Sequence, residues 1–245
     1  MIKKIKYILS TLIVLFFLSK TYQYMPYRIE YFGHYNKIWA HRNNSIYKAN
    51  TSEKYFKGIE LDLVFNEKEG FLDVNHPPAK SIHLDFANYI SKLKKQPYLW
   101  LDIKNLNVNN AKIIYDELIN IINSNNYPKA KILIETRFPE ALPIFTSSGF
   151  KTSYYLPFGL SKMKDSILNN NLNQIKKILT EQPKIGISSN YKDYEIMHVN
   201  FPNKIKYTWI TDGLRHRNYN VTNQLLNDST VAVVLVSFKT LKGHR

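Results

Sequence analysis

Between residues 37 and 238 the chain alternates short runs of strand type with segments of helical period. Strand-like runs fall at 37–41, 58–64, 71–75, 98–104, 131–135, 151–156, 184–188, 194–199, 207–211 and 231–238. Helical spacing is read at 84–93, 110–123, 139–147, 161–168, 172–180 and 221–226. The clearest is 110–123, with Ala111, Ile114, Tyr115, Leu118, Ile121 and Ile122 at helical spacing and Asp116 and Glu117 on the other side. Such alternation points to parallel strands joined by crossover helices, because parallel neighbours cannot be linked by a tight turn. The strand count is close to the eight of a closed (β/α)8 TIM barrel, a fold that commonly takes ~250 residues. A doubly wound open sheet is the other arrangement, but no strand is followed by G-x-G-x-x-G.

Residues 1–24 stand apart. Met1-Ile2-Lys3-Lys4-Ile5-Lys6 leads into an apolar run at 7–18, broken only by Ser10 and Thr11. Three lysines ahead of a short apolar core match a secretory signal. The run is shorter than the ~20 apolar residues of a membrane-spanning helix. Residues 16–20 offer no small-x-small cleavage site. A cleaved signal peptide and an uncleaved signal-anchor both fit, and either predicts export, with 25–245 as a single barrel domain. Tyr22, Tyr24, Tyr27, Tyr31 and Phe32 are expected to pack against that domain or to form a membrane-proximal collar.

Composition narrows the chemistry. The chain has no cysteine, which removes disulfides, thiolate zinc sites, iron–sulfur clusters and cysteine nucleophiles. Any metal must therefore sit on oxygen or imidazole. A formal charge of +15 suits nucleic acid, an anionic membrane face or a phosphorylated substrate. The lysines are scattered, however, with no basic block longer than Lys94-Lys95 or Lys176-Lys177. A nucleic-acid partner is not expected.

In a barrel, catalytic groups gather where the strands end. The first strand run ends at His41-Arg42, and the second carries Glu60 and Asp62, two apart and so on one face. The third delivers His76 ahead of Pro77-Pro78. The fourth holds Asp102 and Lys104, again on one face, and the fifth ends in Glu135 with Arg137 beyond. Carboxylates pointing inward from apolar strands are costly unless paired or bound to a cation. Glu60, Asp62 and Asp102 form an all-oxygen set suited to one divalent cation, Mg2+ or Ca2+. His41 and His76 are then the candidate acid and base, with Arg42 and Lys104 available for an anionic phosphate. The set reads as metal-assisted phosphodiester cleavage. Glu135 and Trp209 are candidate pocket residues. Weaker candidates are His198 at a strand end and His216 between Arg215 and Arg217.

These residues also carry a resemblance. Trp39-Ala40-His41-Arg42, Asn50-Thr51, Gly58-Ile59-Glu60-Leu61-Asp62 and Asn75-His76 resemble, in order, the HRG, ENT, G-x-E-x-D and HD motifs of the glycerophosphodiester phosphodiesterases. Leu101-Asp102-Ile103-Lys104 looks like their E-x-K segment with Asp for Glu, and Tyr207-Thr208-Trp209-Ile210 like their late W-T strand. The resemblance implies a TIM barrel of the phospholipase-C-like superfamily. It implies His41 and His76 as the acid–base pair, a divalent cation on Glu60, Asp62 and Asp102, and the scissile phosphate on Arg42 and Lys104. A substrate hydroxyl would attack phosphorus to give a cyclic phosphate that water can open.

Departures are also present. Asn43 replaces the glycine after His-Arg, and Ala49 replaces the Glu before Asn-Thr. Only nine residues separate Asn50 from Glu60, and the 51–57 crossover is too short for a full barrel helix. His76-Pro77-Pro78 with Leu101-Asp102-Ile103-Lys104 is similar to the menorin-like branch of the superfamily. Glycerophosphodiester, phospholipid head group and polymer-linked phosphate all stay open as substrates, and membrane association is compatible with each. The alternative from another class is a non-catalytic barrel that binds anionic lipid head groups or phosphorylated polymers.

Overall fold

Apolar strands bounded by turn residues pair side by side here until the first meets the last. The computed structural model describes residues 2–22, 24–211 and 219–240. The chain runs α1 (Ile2–Tyr22), β1 (Ile38–Ala40), α2 (Ile46–Ser52), β2 (Gly58–Asn66), β3 (Phe71–Val74), α3 (Phe86–Ser91), β4 (Tyr98–Ile103) and α4 (Ala111–Ser124). It continues with β5 (Ile132–Thr136), α5 (Pro143–Ser147), β6 (Lys151–Tyr155), α6 (Asp165–Glu181) and β7 (Gly186–Asn190). It ends with α7 (Tyr194–Asn200), β8 (Lys206–Ile210), α8 (Tyr219–Asn227) and β9 (Val231–Val236). Among the described residues eight parallel strands form the wall, in the order β1-β2-β4-β5-β6-β7-β8-β9, and β9 pairs with β1 to close it. The barrel expected from the sequence is the fold observed.

Alternate strand residues face opposite sides of the wall. One set, Trp39, Trp100, Leu133, Tyr207, Val233 and Leu235, packs together as an apolar plug inside the barrel. Truncating a buried Trp of this kind to Ala typically costs about 3–5 kcal/mol. The other set joins the larger core beneath the helices, where Leu61, Leu101 and Ile103 pack with Ile114 and Leu118 of α4. Gly58 makes room for the plug. A Cβ there would lie 2.2 Å from Cδ2 of Trp39, so only a bare backbone lets the indole cross the barrel base.

The structure corrects several expectations. Residues 71–75 do form a strand, but β3 pairs antiparallel with β2, from Leu63↔Val74 to Asn66↔Phe71, and stands outside the wall. Gly70, at φ 72°, turns that hairpin. The run at 194–199, read as a strand, is helix α7, because Tyr194 and Met197 bury three apart on one helical face. The separate helices at 161–168 and 172–180 are one helix, α6, preceded by the short turn Leu160–Lys162. Asn169 and Asn170 sit on its solvent side and do not break it. The first crossover helix, α2, begins at Ile46, earlier than the 51–57 span.

Aromatic residues cover the side beside α2. Tyr27 meets Tyr35 and Tyr55 edge-on at 5.6 and 6.0 Å, Phe238 meets Phe56 at 5.3 Å, and Tyr31 is fully buried. Helix α1 leaves Leu12, Phe16 and Phe17 exposed. Among the described residues no helix is long and apolar enough to cross a membrane. His216, with Arg215 and Arg217, lies outside the described residues.

Candidate active site

The carboxyl ends of the barrel strands surround a cavity of about 490 Å³. Neighbouring strands place three carboxylates there, with β2 carrying Glu60 and Asp62 and β4 carrying Asp102 directly across from Asp62. One oxygen from each of the three lies within 4.8 Å of the others. His41, just past β1, sits with Nε2 3.7 Å from Glu60 Oε2. His76, past β3, sits with Nε2 4.0 Å from Asp62 Oδ1. The two imidazoles therefore flank the acid cluster.

Local bonds hold this arrangement. Arg42 adopts φ 53°, the left-handed region that non-glycine residues rarely occupy. Its N–H donates to Glu60 Oε2 at 2.5 Å, and buried Lys48 caps the carbonyls of His41 and Arg42 at 2.8 and 2.7 Å. Burial pushes the Lys48 ammonium down to about 8, against the pull of Glu60. Asn43, which follows His41-Arg42, is fully buried. Its amide donates to Ala40 O at 2.7 Å and accepts from Ser52 Oγ at 2.6 Å, which anchors the loop to α2. Asn44 donates to Asp62 Oδ2 at 2.7 Å and receives the Asp62 N–H at 3.0 Å, so it fixes that carboxylate's orientation.

Lys104 Nζ lies 2.6 Å from Asp62 Oδ1 and also bonds Asp102 Oδ2. The acids raise its pKa above the ordinary lysine value despite its burial. Arg42 Nη2 lies 2.8 Å from His76 Nε2. Arg137 lies over the Tyr155 ring at 4.4 Å and lines the cavity. Trp209 also lines it, edge-on to Tyr155 at 5.1 Å.

Burial and mutual repulsion dominate the electrostatics. Burial, with Asp62 beside it, pushes Glu60 well above the usual carboxylate range, and burial raises Asp102 even with Lys104 opposing. Burial, with Arg42 adjacent, pushes the His41 imidazole down to about 3, so it is neutral at pH 7. Even with Lys104 and Lys48 nearby, Glu60 and Asp102 stay above the ordinary carboxylate range, so the cluster is under-compensated. Its carboxylate oxygens, close and buried, are the donor set that hard divalent cations prefer. The residues fit such an ion.

Glu135 is not part of that set. It stands opposite Asp102 in register and accepts a hydrogen bond from Ser188 Oγ. Burial pushes its carboxyl up to about 8. A raised carboxyl destabilises the fold at pH values above its folded pKa, and that penalty fades as pH falls toward the unfolded value of ~4.5. The cation-free protein is therefore expected to melt at a higher temperature at pH 6 than at pH 8.5. In Glu135→Gln that difference should shrink, as calorimetric melts at both pH values would read; an unchanged difference would count against the assignment.

The structure brings together His41, Arg42, Glu60, Asp62, His76, Asp102, Lys104, Glu135 and Trp209 around one cavity. It does not bring His198 there: that side chain is on α7 and pairs with Asp228 at 3.2 Å. Sequence reasoning missed Asn44, Lys48, Tyr155 and Phe138. For Asn44 the signal was the Asn-Asn pair straight after His-Arg, since Asn is common where a chain turns.

No protein-family model matches the chain, and no curated protein matches it. Solved structures do. A glycerophosphodiester phosphodiesterase from Parabacteroides distasonis superposes with TM-score 0.56 at 13% identity, over 84% of this chain and 94% of that one. Another from Thermotoga maritima gives TM-score 0.56 at 12% identity, over 83% and 95%. A phosphodiesterase from Oleispira antarctica, in complex with the product sn-glycerol-3-phosphate, gives 0.55 at 11%, over 81% and 92%. The chain thus has the closed barrel fold seen in glycerophosphodiester phosphodiesterases.

Proposed function

We propose that the protein is a metal-dependent phosphoric diester hydrolase of the glycerophosphodiester phosphodiesterase type. The observation that carries this reading is the buried Glu60–Asp62–Asp102 cluster, flanked by His41 and His76 at the mouth of the barrel. Glu60, Asp62 and Asp102 would hold one Mg2+ or Ca2+ ion. Such an ion supplies charge that polarises phosphoryl oxygens and lowers the pKa of a nearby hydroxyl. With the acids so compensated, Lys104 would be free to join Arg42 on the phosphate.

The rest is proton traffic. A substrate hydroxyl adjacent to the phosphorus attacks it, and the proton passes to a neutral imidazole, for which His41 is suited. The departing alkoxide oxygen takes a proton from the other imidazole, His76. Water then opens the cyclic phosphate with the two roles exchanged. Tyr155, Trp209 and Arg137 line the space left for the alcohol portion.

Glycerophosphodiesters are the first substrates to try, given the sn-glycerol-3-phosphate bound to the Oleispira enzyme. Phosphorus NMR of glycerophosphocholine incubated with the protein and Mg2+ or Ca2+ should show glycerol phosphate appearing. A panel of diesters left intact with either ion would defeat the reading. A second reading, an anion-binding barrel without turnover, draws on Arg42 and Lys104 already bonding His76, Asp62 and Asp102; binding without cleavage would favour it. Export, with the basic and apolar N-terminal segment as the signal and membrane association through it, belongs to the same proposal.

A further inference from the structure

At the end of the barrel opposite the acid cluster, four neighbouring strands begin. Tyr98 opens β4, Lys151 opens β6, Lys57 precedes β2 and Lys131 precedes β5. The three ammonium groups converge on one ring, with Nζ of Lys57, Lys131 and Lys151 at 5.2, 5.9 and 5.3 Å from the Tyr98 centroid. They border a cavity of about 180 Å³, separated from the upper one by the plug. Trp39 borders it too, and its buried indole N–H has no hydrogen-bond partner.

The charges are not compensated. Among the described residues, none of the three lysines has an acidic partner within ion-pair distance. Lys131 donates to Gln96 O at 2.7 Å, a neutral acceptor. A tyrosine ring attracts cations through its quadrupole but carries no net charge, so three positive charges remain around one small space. This differs from the scattered lysines elsewhere, because here the strand register forces the convergence.

We propose that this cavity binds a small polyvalent oxyanion, a phosphate or pyrophosphate group, at the amino-terminal mouth of the barrel. A tetrahedral oxyanion offers acceptors in several directions at once, which suits ammonium donors arriving from three strands. The volume suits a group of few atoms and excludes a stacked base or acyl chain. Binding here is independent of diester cleavage at the other end.

Isothermal titration with inorganic pyrophosphate, at constant ionic strength, tests the proposal. In Arg42→Gln/Lys104→Gln, with the upper site disabled, one equivalent should still bind. In Lys57→Gln/Lys151→Gln that equivalent should weaken about 100-fold, the scale of two lost charged hydrogen bonds. Both lysines are exposed, and circular dichroism would verify the fold of the variant. Lys94→Gln/Lys95→Gln removes the same charge from elsewhere and should bind as the parent does. The proposal is overturned if Lys57→Gln/Lys151→Gln binds like the parent, or if Lys94→Gln/Lys95→Gln weakens equally. An inactive diesterase with this binding intact would instead indict the reading of the upper site.

Discussion

Replacing His41 by Ala is expected to slow turnover of a glycerophosphodiester about 10³-fold, the scale of general acid–base catalysis, with little change in melting temperature. The side chain is partly exposed at the cavity rim, and among the described residues its ring has no partner nearer than Glu60 at 3.7 Å. The fold loses little when it goes. Chemistry loses a neutral imidazole, held unprotonated by burial and by Arg42, at the point where a hydroxyl must give up its proton. His76→Ala should have a similar effect by removing the donor to the leaving oxygen. If the pair works as one unit, the double variant should be scarcely slower than either single one. Steady-state assays of the three variants decide it, and unimpaired turnover in either single variant would sink the mechanism.

Stripping divalent cations with a chelator should lower turnover by about 10³-fold, several kcal/mol of lost charge stabilisation, and added Mg2+ or Ca2+ should restore it. Glu60→Gln sharpens the test because activity and stability move in opposite directions. In the chelated protein the substitution removes one of three crowded buried carboxylates, so the variant should melt above the parent. With cation present the order should reverse, because the parent gains a ligand-linked stabilisation that the variant mostly lacks. Turnover stays low in the variant throughout. Melting curves that rank identically with and without cation would mean that the cluster does not bind one.

Much of this site was legible because strands have a period of two. Glu60 with Asp62 and Asp102 with Lys104 had to share a face, and the parallel pairing of β2 with β4 then set Asp62 beside Asp102. The barrel was legible through the same regularity. Helix α7 was not, because six residues of mixed polarity satisfy either period, and burial of Tyr194 and Met197 against neighbours made the choice. Nor was the merger of two helical stretches into α6, since an Asn run costs little on a solvent-facing side. Lys48 and Asn44 were hidden for another reason. Their roles depend on partners that only the folded loop brings near, the His41 and Arg42 carbonyls for Lys48 and the Asp62 carboxylate for Asn44.

Strand β3 stands outside the wall, yet it delivers His76. β2 holds its barrel neighbour β4 through Gly58–Leu63 and forms the hairpin through residues 63–66, with Leu63 paired on both sides. The ring closes without β3, while α3 packs Phe86, Tyr89 and Ile90 into the core beneath it, which leaves the exposed turn at 77–80 as the part free to vary. His41 is bound to the ring itself, whereas its counterpart rides on a detour whose length can change at small entropic cost. Over generations, such a molecule can keep one proton carrier and its acid cluster constant while trying different reaches for the other. Variation among descendants should therefore concentrate at a single edge of the mouth.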